Sequence, residues 1–210
     1  PGSREVLQPQ AGQGKLILAA HLGDIEASRA LAQVEAGLVI NALVFTDNAQ
    51  RFRQIIDEIA PQAGVNLLPV SHIGPETARL LQEKLDAGEW VAIVGDRVAV
   101  NTQRGGERRV CWSQFMGNQA PFPQGPFILA AALRCPVILM MVLREQGKLR
   151  IHAEHFADPL VLPRATRQQA LQEHIDNYAH RLECYALRSP LDWFNFYDFW
   201  QLPPEKESGC

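Results

Sequence analysis

Cysteine is scarce: Cys111, Cys135, Cys184 and Cys210 are the 4 in the chain, and no two form a CxxC pair. A zinc cage needs closely spaced ligands and a disulfide scaffold needs a far higher cysteine density, so neither is expected and a reducing compartment is the default. Positive charge is short as well, with 20 Lys and Arg against 23 Asp and Glu and a net charge of −3. That balance disfavours a general nucleic-acid binder, which needs a clustered positive field, and leaves room only for local basic clusters. Long hydrophobic runs are missing: Arg134 and Pro136 interrupt the longest, and none reaches the roughly 18–20 uncharged residues of a transmembrane helix. Repeats and low-complexity segments are absent too.

What remains is an ordinary globular balance, 47% hydrophobic and 20% charged over 210 residues, enough for one α/β domain with additions. Pro1-Gly2-Ser3 resembles the remnant of a cleaved expression tag, and residues 4–204 read as one domain followed by a flexible polar tail over 205–210. Because a strand pattern starts as early as Lys15, an upstream part, which could include a membrane anchor, is expected to have been removed.

Short β-type runs alternate with longer helical ones. Strands are predicted over 16–20, 38–45, 65–70, 90–94 and 137–142, with an outer strand over 148–155. Helices are predicted over 24–37, from Asn48 to about Ala60, and over 75–87, 124–134 and 165–187. In the last, Leu171, Ile175, Tyr178, Leu182 and Tyr185 recur every three or four residues, a stripe expected to pack on the sheet. This alternation predicts a mostly parallel central sheet flanked by helices. Between Asp96 and Val110 the pattern loosens into a basic loop carrying Arg97, Arg104, Arg108 and Arg109 around Gly105-Gly106.

Four local features bear chemistry. In His21-Leu22-Gly23-Asp24-Ile25-Glu26 the histidine falls at the end of the first strand, where open α/β sheets place ligands. A strand-to-helix turn can fold back so that Glu26 holds one imidazole nitrogen while the other faces substrate. Alternatively, Asp24 and Glu26 merely favour the dipole of the following helix. Gly95-Asp96-Arg97 follows a later strand; its Arg can grip phosphate or carboxylate and its Gly admits a ligand to the backbone, or Asp and Arg simply pair across a turn. Phe122-Pro123-Gln124-Gly125-Pro126 leads into an apolar helix whose N–H groups suit an oxyanion, unless it is only a proline-rich connection. Cys135-Pro136-Val137-Ile138 alone is the start of a core strand.

Taken in order, these four features resemble the glycerolipid acyltransferase superfamily. Glu rather than Asp in the first motif looks most like its lipid A late-acyltransferase branch, and the resemblance runs from about Lys15 to Leu187. It implies transfer of a fatty acyl group from a thioester of acyl carrier protein or coenzyme A to a hydroxyl or amine, with no metal and no bound cofactor. By the same resemblance His21 is the general base and Glu26 its partner. Gly23, Asp24, Gly95 and Asp96 belong to the substrate site, and Arg97 holds a phosphate. Phe122, Pro123 and Gly125 line the acceptor or oxyanion side. A lipid acceptor, a membrane surface and the cytoplasmic face of a bacterial inner membrane follow as expected surroundings. Arg104, Arg108 and Arg109 can dock the acidic surface of acyl carrier protein, or form a solvated face.

The chain departs from the family pattern in three places: Ala20 stands before the histidine, Gln124 replaces a Glu, and the ending is aromatic, Trp193 to Trp200, rather than basic. That ending either meets a bilayer or acyl chain, or packs back on the sheet as core. His72 is read as structural. His152 and His155 point to opposite strand faces and make a poor metal pair; His174 and His180 lie six apart on a helix and make no better one. Rival readings are a non-catalytic acyl- or lipid-binding module and a metal-dependent phosphoesterase.

Overall fold

The computed structural model describes residues 2–10, 12–23, 38–45, 65–70, 74–98, 109–196 and 198–202. The elements in chain order are α1 (Ser3–Val6), β1 (Leu16–Ala19), β2 (Ile40–Phe45), β3 (Val65–Val70), α2 (Pro75–Asp86), β4 (Trp90–Val94), β5 (Val110–Phe115) and β6 (Asn118–Pro123). They continue with α3 (Gly125–Leu133), β7 (Val137–Glu145), β8 (Lys148–Ala157) and α4 (Arg167–Arg188). The helices expected over 24–37 and 48–60, His72 and the tail 205–210 lie outside the described residues.

Among the described residues the main sheet runs β3-β2-β4-β1-β7-β8. Every neighbouring pair is parallel except β7–β8, so the fold is α/β with a mostly parallel mixed sheet. β1 is central and buried on both faces, which explains its unbroken Leu-Ile-Leu run. Leu16 and Leu18 point into a core shared with α2, α3 and α4, while Ile17 points into a second core with Ile40, Trp90 and Ile138. The stripe of α4 is buried along its length, at Leu171, Ile175, Tyr178, Leu182 and Tyr185. On the second face, buried Lys15 ties α1 down by donating from Nζ to the carbonyls of Val6 and Gln8, 2.9 Å each.

Two stretches differ from the sequence reading, and the first is α1, a short helix that begins at Ser3 where a tag remnant was expected. In the second, the loosened region ends in a hairpin, β5–β6, paired antiparallel outside the main sheet. Met116 and Gly117 join its strands with φ of 50° and 80°, the two left-handed residues that a tight hairpin turn demands. β5 alternates buried and exposed residues, a period-2 signal that its Gln and Ser dilute. Phe115 and Phe122 meet edge to face at 5.8 Å, so the hairpin closes the core over α4. No helix among the described residues is long and apolar enough to cross a membrane.

Candidate active site at the end of strands β1 and β4

β1 and β4 lie side by side in register, with Ala19 opposite Val94. Two residues beyond that pair on either strand stand His21 and Asp96, and parallel register therefore brings them together. His21 Nδ1 lies 2.9 Å from Asp96 Oδ1, and the His21 backbone N–H donates to Asp96 Oδ2, also at 2.9 Å. A carboxylate only accepts, so Nδ1 carries the proton and Nε2 of the neutral ring keeps its lone pair. Asp96 is 1% exposed and the His21 side chain 25% exposed: the acid is sealed beneath a ring that reaches solvent. The arrangement can hold an imidazole in one tautomer and let it take a proton at Nε2.

A hydrogen-bonded floor supports the pair. The Ala19 carbonyl accepts the Gly95 N–H at 3.0 Å and the Tyr178 hydroxyl at 2.8 Å. Burial, aided by the Asp96 charge, pushes the Tyr178 hydroxyl well above its ordinary pKa, so it stays a donor. A Cβ on Gly95 would lie 3.0 Å from Tyr178 Cζ. The glycine thus makes room for a tyrosine of α4.

The turn after His21 is gripped by residues that follow α4. Gly23 N–H donates to the Asp192 carbonyl at 2.7 Å, Phe194 N–H donates to the His21 carbonyl at 2.9 Å, and Leu22 bridges Trp193 antiparallel. The Arg97 guanidinium donates to the Phe194 carbonyl. Gly23 has φ +81°, and a Cβ there would fall 1.4 Å from the Val142 carbonyl oxygen, so close backbone approach explains this glycine.

The structure thus gathers His21, Gly23, Gly95, Asp96 and Arg97 at one end of the sheet. Phe122 is fully buried among Phe115, Tyr178 and Phe199; its ring is core, a correction to its expected place lining the acceptor. Pro123 and Gly125 are half-buried at the entrance to α3. Between them Gln124 donates from its backbone to the Arg109 carbonyl and from Nε2 to the Val110 carbonyl, 3.0 Å each. This second cluster meets the first through Tyr178, whose ring stands 5.5 Å from Phe127 of α3. Arg109 is exposed; Asp24, Glu26, Arg104 and Arg108 lie outside the described residues. A groove of about 320 Å³ beside Trp112, Gln119, Asp176 and His180 contains none of the expected site residues.

Sequence reasoning gave Asp96 to substrate rather than to His21, and it missed Tyr178 and residues 192–194 as parts of the site. Tyr178 carries no separate signal, since its spacing is that of a core stripe. Part of the aromatic ending packs back as core. Phe199 is buried, and Trp193 packs on Phe115 at 5.1 Å, whereas Phe194 and Phe196 are 45% and 87% exposed. Among the described residues no three His, Cys, Asp or Glu side chains gather as metal ligands do. No protein-family model matches the chain, and no curated protein matches it.

Proposed function

We propose that the chain is an acyltransferase of glycerolipid acyltransferase type. It would move a fatty acyl group from a thioester of acyl carrier protein or coenzyme A to a hydroxyl of a lipid or related acceptor. The observation that carries this reading is the His21–Asp96 pair at the C-terminal ends of adjacent parallel strands, with the acid buried and the ring reaching solvent. The order of the His21, Gly95–Arg97 and Phe122–Gly125 motifs supports it.

The chemistry needs one base and oxyanion donors. His21 Nε2 takes the acceptor's hydroxyl proton as its oxygen attacks the thioester carbonyl, a contribution of about 10²–10⁴-fold in rate. The C–O bond forms, the tetrahedral oxyanion collapses, the C–S bond breaks, and the imidazolium returns its proton to the leaving thiolate. Nδ1–H stays on Asp96 throughout, so in this reading the orienting role that the resemblance implies for Glu26 falls to Asp96. Backbone N–H groups near Gly125 are the donors for the oxyanion in this reading, since the Gly23 N–H is already engaged by the Asp192 carbonyl; loss of one such donor costs about 2.7–4 kcal/mol. A thioester is already activated, so none of these steps requires a metal or a bound cofactor. In this reading the exposed Arg109 meets an acidic carrier protein, and the cytoplasmic face of a bacterial inner membrane is the setting in which such a donor and a lipid acceptor would meet.

The test offers acyl carrier protein and coenzyme A thioesters of several chain lengths with a bacterial lipid extract, and reads products by mass spectrometry. Donor-dependent acylated product that disappears in His21→Ala is the expected outcome. Folded protein that retains the thioester without forming product would instead make this an acyl-binding module.

A further inference from the structure

The contacts of residues 192–194 are concentrated on the histidine turn. Two main-chain hydrogen bonds run from this segment to residues 21–23, Gly23 N–H to the Asp192 carbonyl and Phe194 N–H to the His21 carbonyl, and together they make the antiparallel Leu22–Trp193 bridge. The segment is itself anchored at both ends. At its start the Asp192 carboxylate accepts the Arg144 N–H and the Ser189 hydroxyl, 2.8 Å each through Oδ2. At its finish the Arg97 guanidinium donates to the Phe194 carbonyl. One peptide plane on either side of Phe194 thus links Arg97, one residue from Asp96, to the backbone of His21.

We propose that residues 192–194 form a strap that positions the His21 imidazole on Asp96, with Arg97 as its latch. Asp96 fixes the histidine at its backbone N–H and at Nδ1, and the strap fixes it at its carbonyl. Holding both sides of one residue leaves the ring little freedom to swing away from the buried acid. Arg97 is then a positioning residue: its guanidinium closes the strap, where the family resemblance would have it hold a phosphate. Asp192 performs the same service at the far anchor. Latching costs little reorganisation, because the guanidinium fork and a backbone carbonyl are a strong donor–acceptor pair on neighbouring, already ordered chain segments.

The proposal has a structural arm independent of catalysis and a kinetic arm that rests on the acyl-transfer reading. In the structural arm, amide exchange at Phe194 and the His21 ring resonances are followed by NMR in the whole chain, for the wild type, Arg97→Met, Arg97→Lys and Asp192→Ala. Loss of the latch is expected to lower Phe194 protection about tenfold or more by local opening and to broaden or shift the His21 ring signals. Arg97→Lys, which still donates, is expected to restore both in part. Unchanged Phe194 protection and unchanged His21 signals in both Arg97→Met and Asp192→Ala would overturn the strap. In the kinetic arm, Arg97→Met is expected to lower kcat on the order of 10–10²-fold, as misplacement of a reacting group does, with KM for the thioester held. A raised KM with kcat retained would make Arg97 a substrate-binding residue and overturn its role as latch. Absence of turnover in the wild type would sink the acyl-transfer reading and leave the NMR result standing.

Discussion

At the scale of single residues, the two oxygens of Asp96 have separate tasks: Oδ1 faces the His21 ring and Oδ2 faces the His21 backbone N–H. An amide can serve only one of them. In Asp96→Asn the Oδ1 atom can still accept from Nδ1, but the NH₂ then confronts a backbone donor inside the protein, and an unsatisfied buried donor costs about 1–3 kcal/mol. Asp96→Asn is therefore expected to lower kcat for acyl transfer by roughly 10²–10⁴-fold, measured as thioester consumption, and to lower the thermal midpoint as well. Glu26→Gln, compared in the same assay, is expected to lose less. The reverse ranking would return the orienting role to Glu26.

At the scale of elements, the site depends on chain segments that approach each other without side chains between them. Gly23 sits where β1 gives way to its turn, against the Val142 carbonyl of β7, and a Cβ would overlap that oxygen outright. Because backbone cannot yield as a flexible side chain does, Gly23→Ala is expected to drive the turn off β7 and strip the strap of its Asp192 bond. The expected readout is a sharp drop in folded protein or in thermal midpoint, larger than the ~1–3 kcal/mol of ordinary overpacking. A variant as stable as the wild type would show that the turn does not need this approach. Gly95 is less demanding: the neighbour there is the Tyr178 side chain, which leaves 3.0 Å to a Cβ.

At the scale of the whole molecule, the antiparallel edge of the sheet is joined to α4 by a charged cluster remote in sequence from His21. His152 of β8 lies with Nε2 3.4 Å from Glu145 Oε1 of β7, and Arg188 at the end of α4 donates to the same oxygen at 2.5 Å. Burial, and then the Arg188 charge, lower the His152 pKa below its ordinary 6.5, outweighing Glu145. A histidine whose folded pKa is depressed binds its proton more readily when unfolded, so its contribution to stability is present above about pH 6.5 and is lost as pH falls through the folded pKa. The thermal midpoint is expected to fall between about pH 7.5 and 5.5, and the fall is expected to be smaller in His152→Gln. Equal falls would place the acid sensitivity elsewhere.

Much of this molecule can be read along the chain. The runs at 65–70 and 90–94 are strands with the predicted limits, α4 buries the stripe from Leu171 to Tyr185, and His21 follows a buried strand. Those features are local: period, branching and turn residues are properties of neighbours in sequence, and short-range sterics and burial act on them directly. The same locality made Glu26, five residues from His21, the natural partner to consider. Asp96 is 75 residues away, and no spacing rule reaches it. It meets His21 because β4, rather than β2, lies beside β1, with Ala19 opposite Val94, and strand order is a matter of how helices and sheet faces share the core. The strap is further still from local rules, since its bonds are main-chain N–H to carbonyl and any residue can supply them. The sequence by itself determined the strands of the main sheet, the helices that begin near residues 75, 125 and 167, the mostly parallel α/β class and the histidine at a strand end. Tertiary structure alone decided which acid holds that histidine and which segment clamps it, because both follow from strand order and backbone approach, which side-chain identity does not encode locally.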